Sequence, residues 1–206
     1  MKSLRFNPPL EWNLNHKNRY FFGFFDFLNE IDAYYQSTTL KQTLTPTLNL
    51  LEIGSYMGES TSLFAATGLF KEIHCVDPFK GEEKANKYLN ENWEDVFNEF
   101  KINTRHWDNI ILHKDYSYNI VNNFPDNYFD VVYIDANHEY KAVKQDLNLC
   151  FPKIKPNGII SGHDYSKTWP GVVKAVNEFL EKNTDSLYPN MVYSDETWIK
   201  GLNKNI

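Results

Sequence analysis

Two short segments of the sequence combine carboxylates with histidines, residue types that can move protons or bind metal ions. One contains Asp135 and His138, the other contains His163 and Asp164, and each directly follows an apolar run. A histidine three residues after an aspartate can reach the same pocket from the start of the next helix, and it titrates near neutral pH. These segments therefore predict acid–base or metal chemistry in one part of the fold.

A second group of residues, closer to the N-terminus, has the spacing of a nucleoside-binding loop. Gly54 and Gly58 follow an apolar run and would let the backbone approach a ligand closely. A helix that begins near Gly58 would point its amide groups and positive dipole end at that ligand. Asp77 comes about 20 residues later, where a carboxylate can bind both ribose hydroxyls. A plain tight turn and a helix cap are the alternatives, but the joint spacing favours binding.

A parallel sheet would bring these residues together, and the hydrophobic pattern predicts one. Apolar runs predict strands at 48–53, 73–76, 110–113, 128–134 and 159–162, the last entered through a turn at 156–158. Helical periodicity alternates with them, at 60–66, roughly 82–103, 140–150 and 172–180. The fold class is therefore α/β, with a mostly parallel sheet, helices on both faces and a C-terminal antiparallel hairpin from 191–193 and 197–199. Such sheets bind ligands in the crevice at the carboxyl ends of their strands.

The chain is expected to form one compact domain overall, because 206 residues suit one core better than two. Residues 1–47 are predicted to be an arm and a helix, at 20–35, that packs on the core. Residues 48–206 would then form the ligand-binding domain.

Composition argues against several classes of partner. A formal net charge of -6 and a pI near 5.5 provide no basic field for nucleic acid, so a small-molecule partner is expected. Cys75 and Cys150, the only cysteines, suggest a cytoplasmic protein without disulfides or a zinc site. The apolar run at 21–28 contains Gly23 and Asp26, so neither a signal peptide nor a membrane span is predicted. The oligomeric state, a homo-oligomer included, stays open.

Taken with these motifs, the sequence resembles class I S-adenosylmethionine-dependent methyltransferases over nearly everything after Leu48. The first motif of that family is an acidic residue, a glycine and a further glycine, matched here by Glu52, Gly54 and Gly58. More narrowly, residues 131–140, 155–158 and 162–165 resemble a branch with sugar and natural-product O-methyltransferases. The resemblance implies a Rossmann-like methyltransferase fold with S-adenosylmethionine as the cofactor.

The resemblance also implies roles for individual residues. Glu52, Gly54 and Ser55 would lie near the methionine part of the cofactor, and Asp77 would lie at the ribose. Asp115 and Tyr116 would lie beside the adenine. The implied cofactor-binding set is Glu52, Gly54, Ser55, Gly58, Asp77, Asp115, Tyr116 and Asp135.

Methylation of a hydroxyl requires that the hydroxyl lose a proton, to a base or with help from a metal ion. His138 is the predicted base, as in related metal-dependent enzymes, with a capping or exposed histidine as the alternative. His163 is a second candidate base or ligand. Asp135 and Asp164 would suit Mg²⁺, which prefers oxygen ligands, although they could instead cap loops. In metal-dependent relatives an acidic residue commonly precedes the second aspartate, whereas here it is His163.

The other histidines have no comparable partners in sequence and are expected in the core or on the surface: His16, His74, His106 and His113. Substrate recognition is expected from the variable parts, which include the loop 166–171 with Trp169.

Two other functions stay open. A nicotinamide-dependent oxidoreductase shares a glycine-rich first turn and an acid after the second strand, but the G-x-G-x-x-G spacing is absent. A non-catalytic cofactor-binding partner subunit would keep the fold, whereas Asp135, His138 and Asp164 favour catalysis. The expected function is methylation of a small molecule or sugar hydroxyl.

Overall fold

The computed structural model describes residues 22–38, 47–81, 92–183 and 189–201 of the chain. Within these ranges the helices α1 to α6 span Phe22–Thr38, Glu59–Ala66, Trp93–Thr104, Ser117–Ile120, Tyr140–Cys150 and Pro170–Asn183. The strands β1 to β7 span Leu48–Ile53, Phe70–Val76, Ile110–His113, Phe129–Ile134, Ile154–Gly162, Met191–Val192 and Trp198–Gly201. Short 3-10 turns at Val121–Asn123 and Phe151–Lys153 extend α4 and α5.

The strands form one mixed sheet in the order β3-β2-β1-β4-β5-β7-β6. Strands β1 to β5 are parallel, β7 runs antiparallel to β5, and β6 pairs with β7 as an antiparallel hairpin. The chain moves outward from β1 to β3 and then returns to β4 on the other side of β1. Ligands bind in sheets of this kind at such a reversal of strand order. The predicted fold class is confirmed.

The carboxyl ends of the parallel strands are in register. Ile53 pairs with both Val76 and Ile134, Val76 pairs with His113, and Ile134 pairs with Gly162. The residues that follow the five strands therefore stand side by side along what we call the carboxyl edge. They are Gly54, Asp77, Lys114, Asp135 and His163.

Apolar side chains cover both faces of the sheet. On one face α1, α2 and α3 pack against the strands through residues such as Phe27, Phe64 and Phe100. On the other face α5 and α6 pack through residues such as Leu147 and Val176. All six residues of β4 are buried, because alternate side chains of a strand point to opposite faces and both faces are covered. This two-sided burial makes the carboxyl edge a rigid support.

Most predicted elements are present with small shifts at their ends. The predicted turn at 156–158 is wrong, because β5 already begins at Ile154 and these residues lie within it. Asn157 has φ +61°, and the pairing of β5 with β4 shifts register beside it, so the prolyl-asparaginyl-glycyl sequence makes a local irregularity in the strand. The predicted helix at roughly 82–103 is seen from Trp93 onward, and residues 82–91 lie outside the described ranges.

The predicted N-terminal helix corresponds to α1, whose side chains Phe24, Phe27, Leu28 and Ile31 lie in the core. None of the helices in the described ranges combines the length and the apolar character needed to cross a membrane. The division of the chain at residue 47 stays a prediction.

Candidate functional site

Three predicted site residues meet at the carboxyl edge: Asp135, His138 and Asp164, which we call the carboxylate–histidine cluster. The Nε2 atom of His138 lies 2.6 Å from Oδ2 of Asp164 and 3.7 Å from Oδ1 of Asp135. Asp135 follows β4, and its backbone N–H donates to the carbonyl of Ile53 across the sheet at 2.8 Å. The adjacency of β4 and β5 thus brings two segments together that lie far apart in the sequence.

His163 contacts the cluster from the other side of Asp164. Its Nδ1 atom lies 3.2 Å from Oδ1 of Asp164, and its backbone N–H donates to the carbonyl of Ile134. Asp164 itself has φ +60°, a left-handed conformation that few residues other than glycine adopt. Tyr56 and Phe79 share this conformation, with φ +45° and +49°, in the segments after β1 and β2. Backbone strain of this kind concentrates at functional sites.

The charges of the cluster stabilise one another. Burial alone would lower the pKa of His138, but the nearby carboxylates of Asp135 and Asp164 outweigh it and raise the pKa to about 9. Burial opposes ionisation of Asp164, yet its contacts with His138 and His163 lower the pKa of this carboxyl below its ordinary range. At neutral pH these shifts favour an imidazolium at His138 beside an ionised Asp164.

The same atoms have the chemistry of a cation site. Ligand atoms of Asp135, His138 and Asp164 all lie within 4.8 Å of one another, and no second such group of three lies within the described ranges. Carboxylate oxygens suit hard divalent cations such as Mg²⁺, and an imidazole nitrogen suits transition metals. The donor set present here fits a divalent cation.

The glycine loop, residues 54–58, joins β1 to α2 and is fastened by Asp77. The Oδ2 atom of Asp77 accepts hydrogen bonds from the backbone N–H groups of Ser55 at 3.0 Å and Tyr56 at 2.9 Å. Its Oδ1 atom accepts one from the N–H of Phe79 at 2.7 Å. These bonds occupy three of the roughly four acceptor positions of a carboxylate. Asp77 therefore positions the loop, and its contact with a ribose stays a prediction.

Glu52 lies beneath the glycine loop and has no exposed surface. Its carboxylate accepts hydrogen bonds from the hydroxyls of Ser55 at 2.8 Å and Ser60 at 2.6 Å, and also from Thr61. Burial raises the pKa of Glu52, and the hydroxyl hydrogen bonds partly oppose this effect. Glu52 thus holds the loop against the first turn of α2, and its predicted proximity to the methionine part of a cofactor stays a prediction.

Gly54 connects the glycine loop to the cluster. It has φ +87°, and a Cβ atom at this position would lie 2.1 Å from the backbone carbonyl oxygen of Asp135. Only glycine fits such an approach. The loop ends at Gly58, the N-cap residue of α2. The glycine loop and the carboxylate–histidine cluster therefore lie beside each other at the carboxyl edge.

Asp115 and Tyr116 lie after β3, further along the same edge. The Oδ1 atom of Asp115 accepts hydrogen bonds from the side chain of Asn119 at 2.9 Å and from the N–H of Tyr116 at 2.7 Å. These two hydrogen bonds lower the pKa of Asp115. Tyr116 stacks on Tyr118, with ring centroids 5.2 Å apart. Asp115 thus stabilises the start of α4, and the placement of both residues beside an adenine stays a prediction.

Two contacts between side chains were not predicted. The ring of Trp169 packs on His138, with centroids 4.4 Å apart. On the neighbouring strands β2 and β3, Nδ1 of His74 lies 3.0 Å from Nε2 of His113. The histidine pair results from the pairing of β2 with β3, which cannot be read from the sequence. The known register of two adjacent parallel strands would have been the only signal for it.

Comparison with known proteins gives a family match that contains the whole site. Residues 51–165 match the family described as "Methyltransferase domain". The matched segment includes the glycine loop, Asp77, Asp115 and the carboxylate–histidine cluster, whereas Trp169 lies outside it.

Two curated relatives, both named as uncharacterized proteins, match parts of the chain. Protein R132 of Acanthamoeba polyphaga mimivirus is 32% identical over 142 residues, which cover 65% of this chain and 59% of that protein. Protein y4gI of Sinorhizobium fredii is 26% identical over 121 residues, which cover 56% of this chain and 13% of that protein. The chain therefore spans less than two thirds of either relative.

Solved structures share the fold. The O-methyltransferase NovP superposes with a TM-score of 0.62 at 16% identity, covering 85% of this chain and 77% of that one. CalS11, a TDP-rhamnose 3'-O-methyltransferase, superposes with a TM-score of 0.53 at 19% identity, covering 85% and 78%. At such low identity the likeness establishes the Rossmann-like fold that the sequence predicted.

Proposed function

Because the chain belongs to the methyltransferase-domain family, we propose that it transfers the methyl group of S-adenosylmethionine to a hydroxyl of a small acceptor, with His138 as the base. The observation that carries the proposal is the contact of His138 with two carboxylates beside the glycine loop. The proposed acceptor group is a hydroxyl of a sugar or of another small molecule. Support for it comes from CalS11 and NovP, two proteins of the same fold that are named as O-methyltransferases.

The cofactor-binding role falls to the glycine loop and the acids around it. S-adenosylmethionine supplies a methyl group on a positively charged sulfur, from which a nucleophile displaces it in line. The glycine loop would lie against the cofactor, held in place by Asp77 and Glu52. The backbone of Asp135 adjoins the loop, and its carboxylate would add negative charge near a bound sulfonium. The proposed set is Glu52, Gly54, Ser55, Gly58, Asp77, Asp115, Tyr116 and Asp135.

His138 is proposed to take the proton of the acceptor hydroxyl. Its Nε2 atom lies between the carboxylates of Asp135 and Asp164, which would stabilise the imidazolium that results. Only the neutral ring can accept a proton, whereas a pKa of about 9 favours the charged ring. A cation held by Asp135 and Asp164 would offset their negative charge and so favour the neutral ring.

A divalent cation such as Mg²⁺ is the proposed partner of Asp135 and Asp164, with His163 as a further ligand or second base. When bound, such a cation would lower the pKa of the acceptor hydroxyl. The chemistry of the donor set supports this assignment.

Calorimetry with S-adenosylmethionine, S-adenosylhomocysteine and NAD tests the cofactor. We expect binding of the first two and no binding of NAD. Binding of NAD instead would favour the nicotinamide-dependent oxidoreductase as the function. Cofactor binding without turnover of any acceptor would favour a non-catalytic partner subunit.

The base is tested with His138→Ala and a control, His106→Ala, which removes an exposed histidine. Formation of S-adenosylhomocysteine is measured with a panel of sugar nucleotides and catechols as acceptors. His138→Ala should lower turnover by about 100-fold or more, the usual size of a general-base contribution. Its affinity for S-adenosylhomocysteine should stay that of the wild type. Unchanged turnover would remove His138 from the mechanism.

Chelation tests the cation separately. Treatment with EDTA should abolish turnover, and Mg²⁺ added in excess should restore it. Full activity after thorough chelation would dismiss the metal.

A further inference from the structure

Trp169 lies at the rim of the carboxylate–histidine cluster. Its ring packs on His138 with centroids 4.4 Å apart and planes inclined by 36°, yet 39% of the residue remains exposed. Five other large apolar residues within the described ranges are similarly exposed, and none of them makes a ring contact with the cluster. They are Ile102, Ile111, Tyr118, Met191 and Val192.

The backbone of Trp169 is fixed at both ends of its loop. The N–H of Ser166 donates to the carbonyl of Asp164 at 2.9 Å, and the N–H of Trp169 donates to the carbonyl of Ser166 at 3.1 Å. On the other side, the carbonyl of Trp169 accepts hydrogen bonds from Val172 and Val173 in the first turn of α6. The exposure of the indole is therefore a property of an ordered segment.

A close contact between backbones sets the position of the loop relative to His138. A Cβ atom on Gly171 would lie 2.7 Å from the carbonyl oxygen of His138 and 2.8 Å from the nitrogen of Tyr140. The start of α6 therefore packs directly on the segment that carries His138. Trp169 and His138 are held beside each other by this main-chain contact as well as by their rings.

An indole held half open beside a base leaves apolar surface for a ligand to cover. Aromatic faces pack well on the flat faces of hydroxylated rings, and such packing would hold one ring hydroxyl near His138. A flexible chain alcohol has no face of this kind. The exposed indole thus favours an acceptor built on a ring.

We propose that Trp169 binds the acceptor, and that the acceptor is a hydroxylated ring whose face packs on the indole while one hydroxyl lies at His138. The inference rests on the proposed methyltransferase function and adds the class of substrate. Trp169 is a specificity-determining residue in this account. The ring can belong to a sugar or to an arene, and the two arms of the experiment below distinguish them.

The experiment measures binding of small probes by saturation-transfer NMR to the full chain saturated with S-adenosylhomocysteine. The probes are methyl rhamnoside, catechol and the acyclic propane-1,2-diol. The variants are Trp169→Ala, Trp169→Phe and the control Met191→Ala, which shortens another exposed apolar side chain. We expect at least one ring probe to bind the wild type. Trp169→Ala should weaken that binding about tenfold, a typical contribution of aromatic packing.

Trp169→Phe should retain most of the affinity because it keeps an aromatic face, and Met191→Ala should leave it unchanged. Binding of the acyclic diol should not respond to Trp169→Ala. The preferred ring probe identifies a sugar or an arene. With an acceptor in turnover, Trp169→Ala should raise KM more than it lowers kcat.

Three results would overturn the inference: no binding of either ring probe to the wild type, ring binding that Trp169→Ala does not change, or an equal loss for the acyclic diol. A fall in kcat at constant KM would also overturn it, because Trp169 would then only orient His138. Failure of the wild type to bind S-adenosylhomocysteine is a separate result, which contradicts the proposed function itself.

Discussion

Strand β4 carries one aspartate near its start and is followed by another, and the two have opposite surroundings. Their side chains are equally buried, with 12% of Asp130 and 10% of Asp135 exposed. Asp130 accepts a hydrogen bond from the N–H of Asn49 at 2.8 Å and pairs with Lys155 at 2.8 Å. Asp135 instead shares His138 with Asp164. The two aspartates are therefore alike in burial and differ in the side chains that they contact.

The difference shows how one sheet supports both stability and chemistry. At the amino ends of β4 and β5 the carboxylate of Asp130 faces the ammonium group of Lys155, so charge is matched within this pair. At the carboxyl edge Asp135 and Asp164 both contact His138, and Asp164 also contacts His163, so the charge there is shared among four side chains. Four experiments test whether this difference separates the candidate site from the opposite end of the sheet.

The largest effect is expected at Gly54, where the carboxyl edge is most tightly assembled. Gly54→Ala should lower the free energy of unfolding by at least about 3 kcal/mol, because its Cβ atom would overlap the carbonyl of Asp135. Gly68→Ala is the matched control, since Gly68 also has positive φ but has no atoms within 4 Å of the added Cβ atom. It should cost only about 1 kcal/mol. Denaturant unfolding measures both, and equal losses would contradict the close packing.

The second experiment exchanges each aspartate of β4 for its neutral isostere. Asp130→Asn should lower the free energy of unfolding by about 2 kcal/mol, because Lys155 loses its counter-charge. It should leave the affinity for S-adenosylhomocysteine unchanged. Asp135→Asn should lower methyl transfer about 100-fold with little loss of stability. If both variants lose stability and activity alike, the contrast between the two edges fails.

A smaller effect is expected from the tyrosines of α1. The hydroxyl of Tyr35 donates to the carbonyl of Asp130 at 2.7 Å in a partly buried place, so Tyr35→Phe should cost about 1 kcal/mol. Tyr34 donates to the carbonyl of Asn157 at 2.9 Å on the surface, and Tyr34→Phe should cost less. Thermal unfolding distinguishes them. Neither change should alter turnover, and a loss of turnover would show that the amino ends influence the site.

The smallest effect is a dependence of stability on pH from the histidine pair. Burial lowers the pKa of both His74 and His113, in contrast to the raised pKa of His138. As the pH falls below about 6.5, the unfolded chain binds protons on these two residues before the folded chain does. Their contribution to stability is therefore present above this pH and is lost as the pH falls through it.

The double variant His74→Gln, His113→Gln isolates this contribution, because His138 and the aspartates titrate in both proteins. The free energy of unfolding of the wild type, relative to the variant, should fall between pH 7 and pH 5. A difference that stays constant over this range would contradict the assignment. Glu72, 3.4 Å from His74, opposes the effect of burial, which keeps the expected change small.

Sequence patterns located the elements well where apolar residues repeat without interruption. The strand Ile110–His113 and the helix Tyr140–Cys150 have the predicted bounds. The start of β5 was misplaced because proline, asparagine and glycine favour a turn locally, while pairing with β4 keeps them in the strand. The candidate site is predictable where its residues closely follow strands. Asp135, His138 and Asp164 do so, and the sequence therefore predicts that they lie in one part of the fold.

By itself, the sequence determined which residues follow the strands, because hydrophobic runs and glycines are local features. It also determined which chemical groups are available at that edge, because the residue type alone supplies a carboxylate or an imidazole. Only the tertiary structure decided that Asp77 fastens the glycine loop, that Trp169 packs on His138, and that Asp130 and Asp135 differ in their partners. These facts depend on strand register and on contacts between distant segments, and the folding of the whole chain sets both.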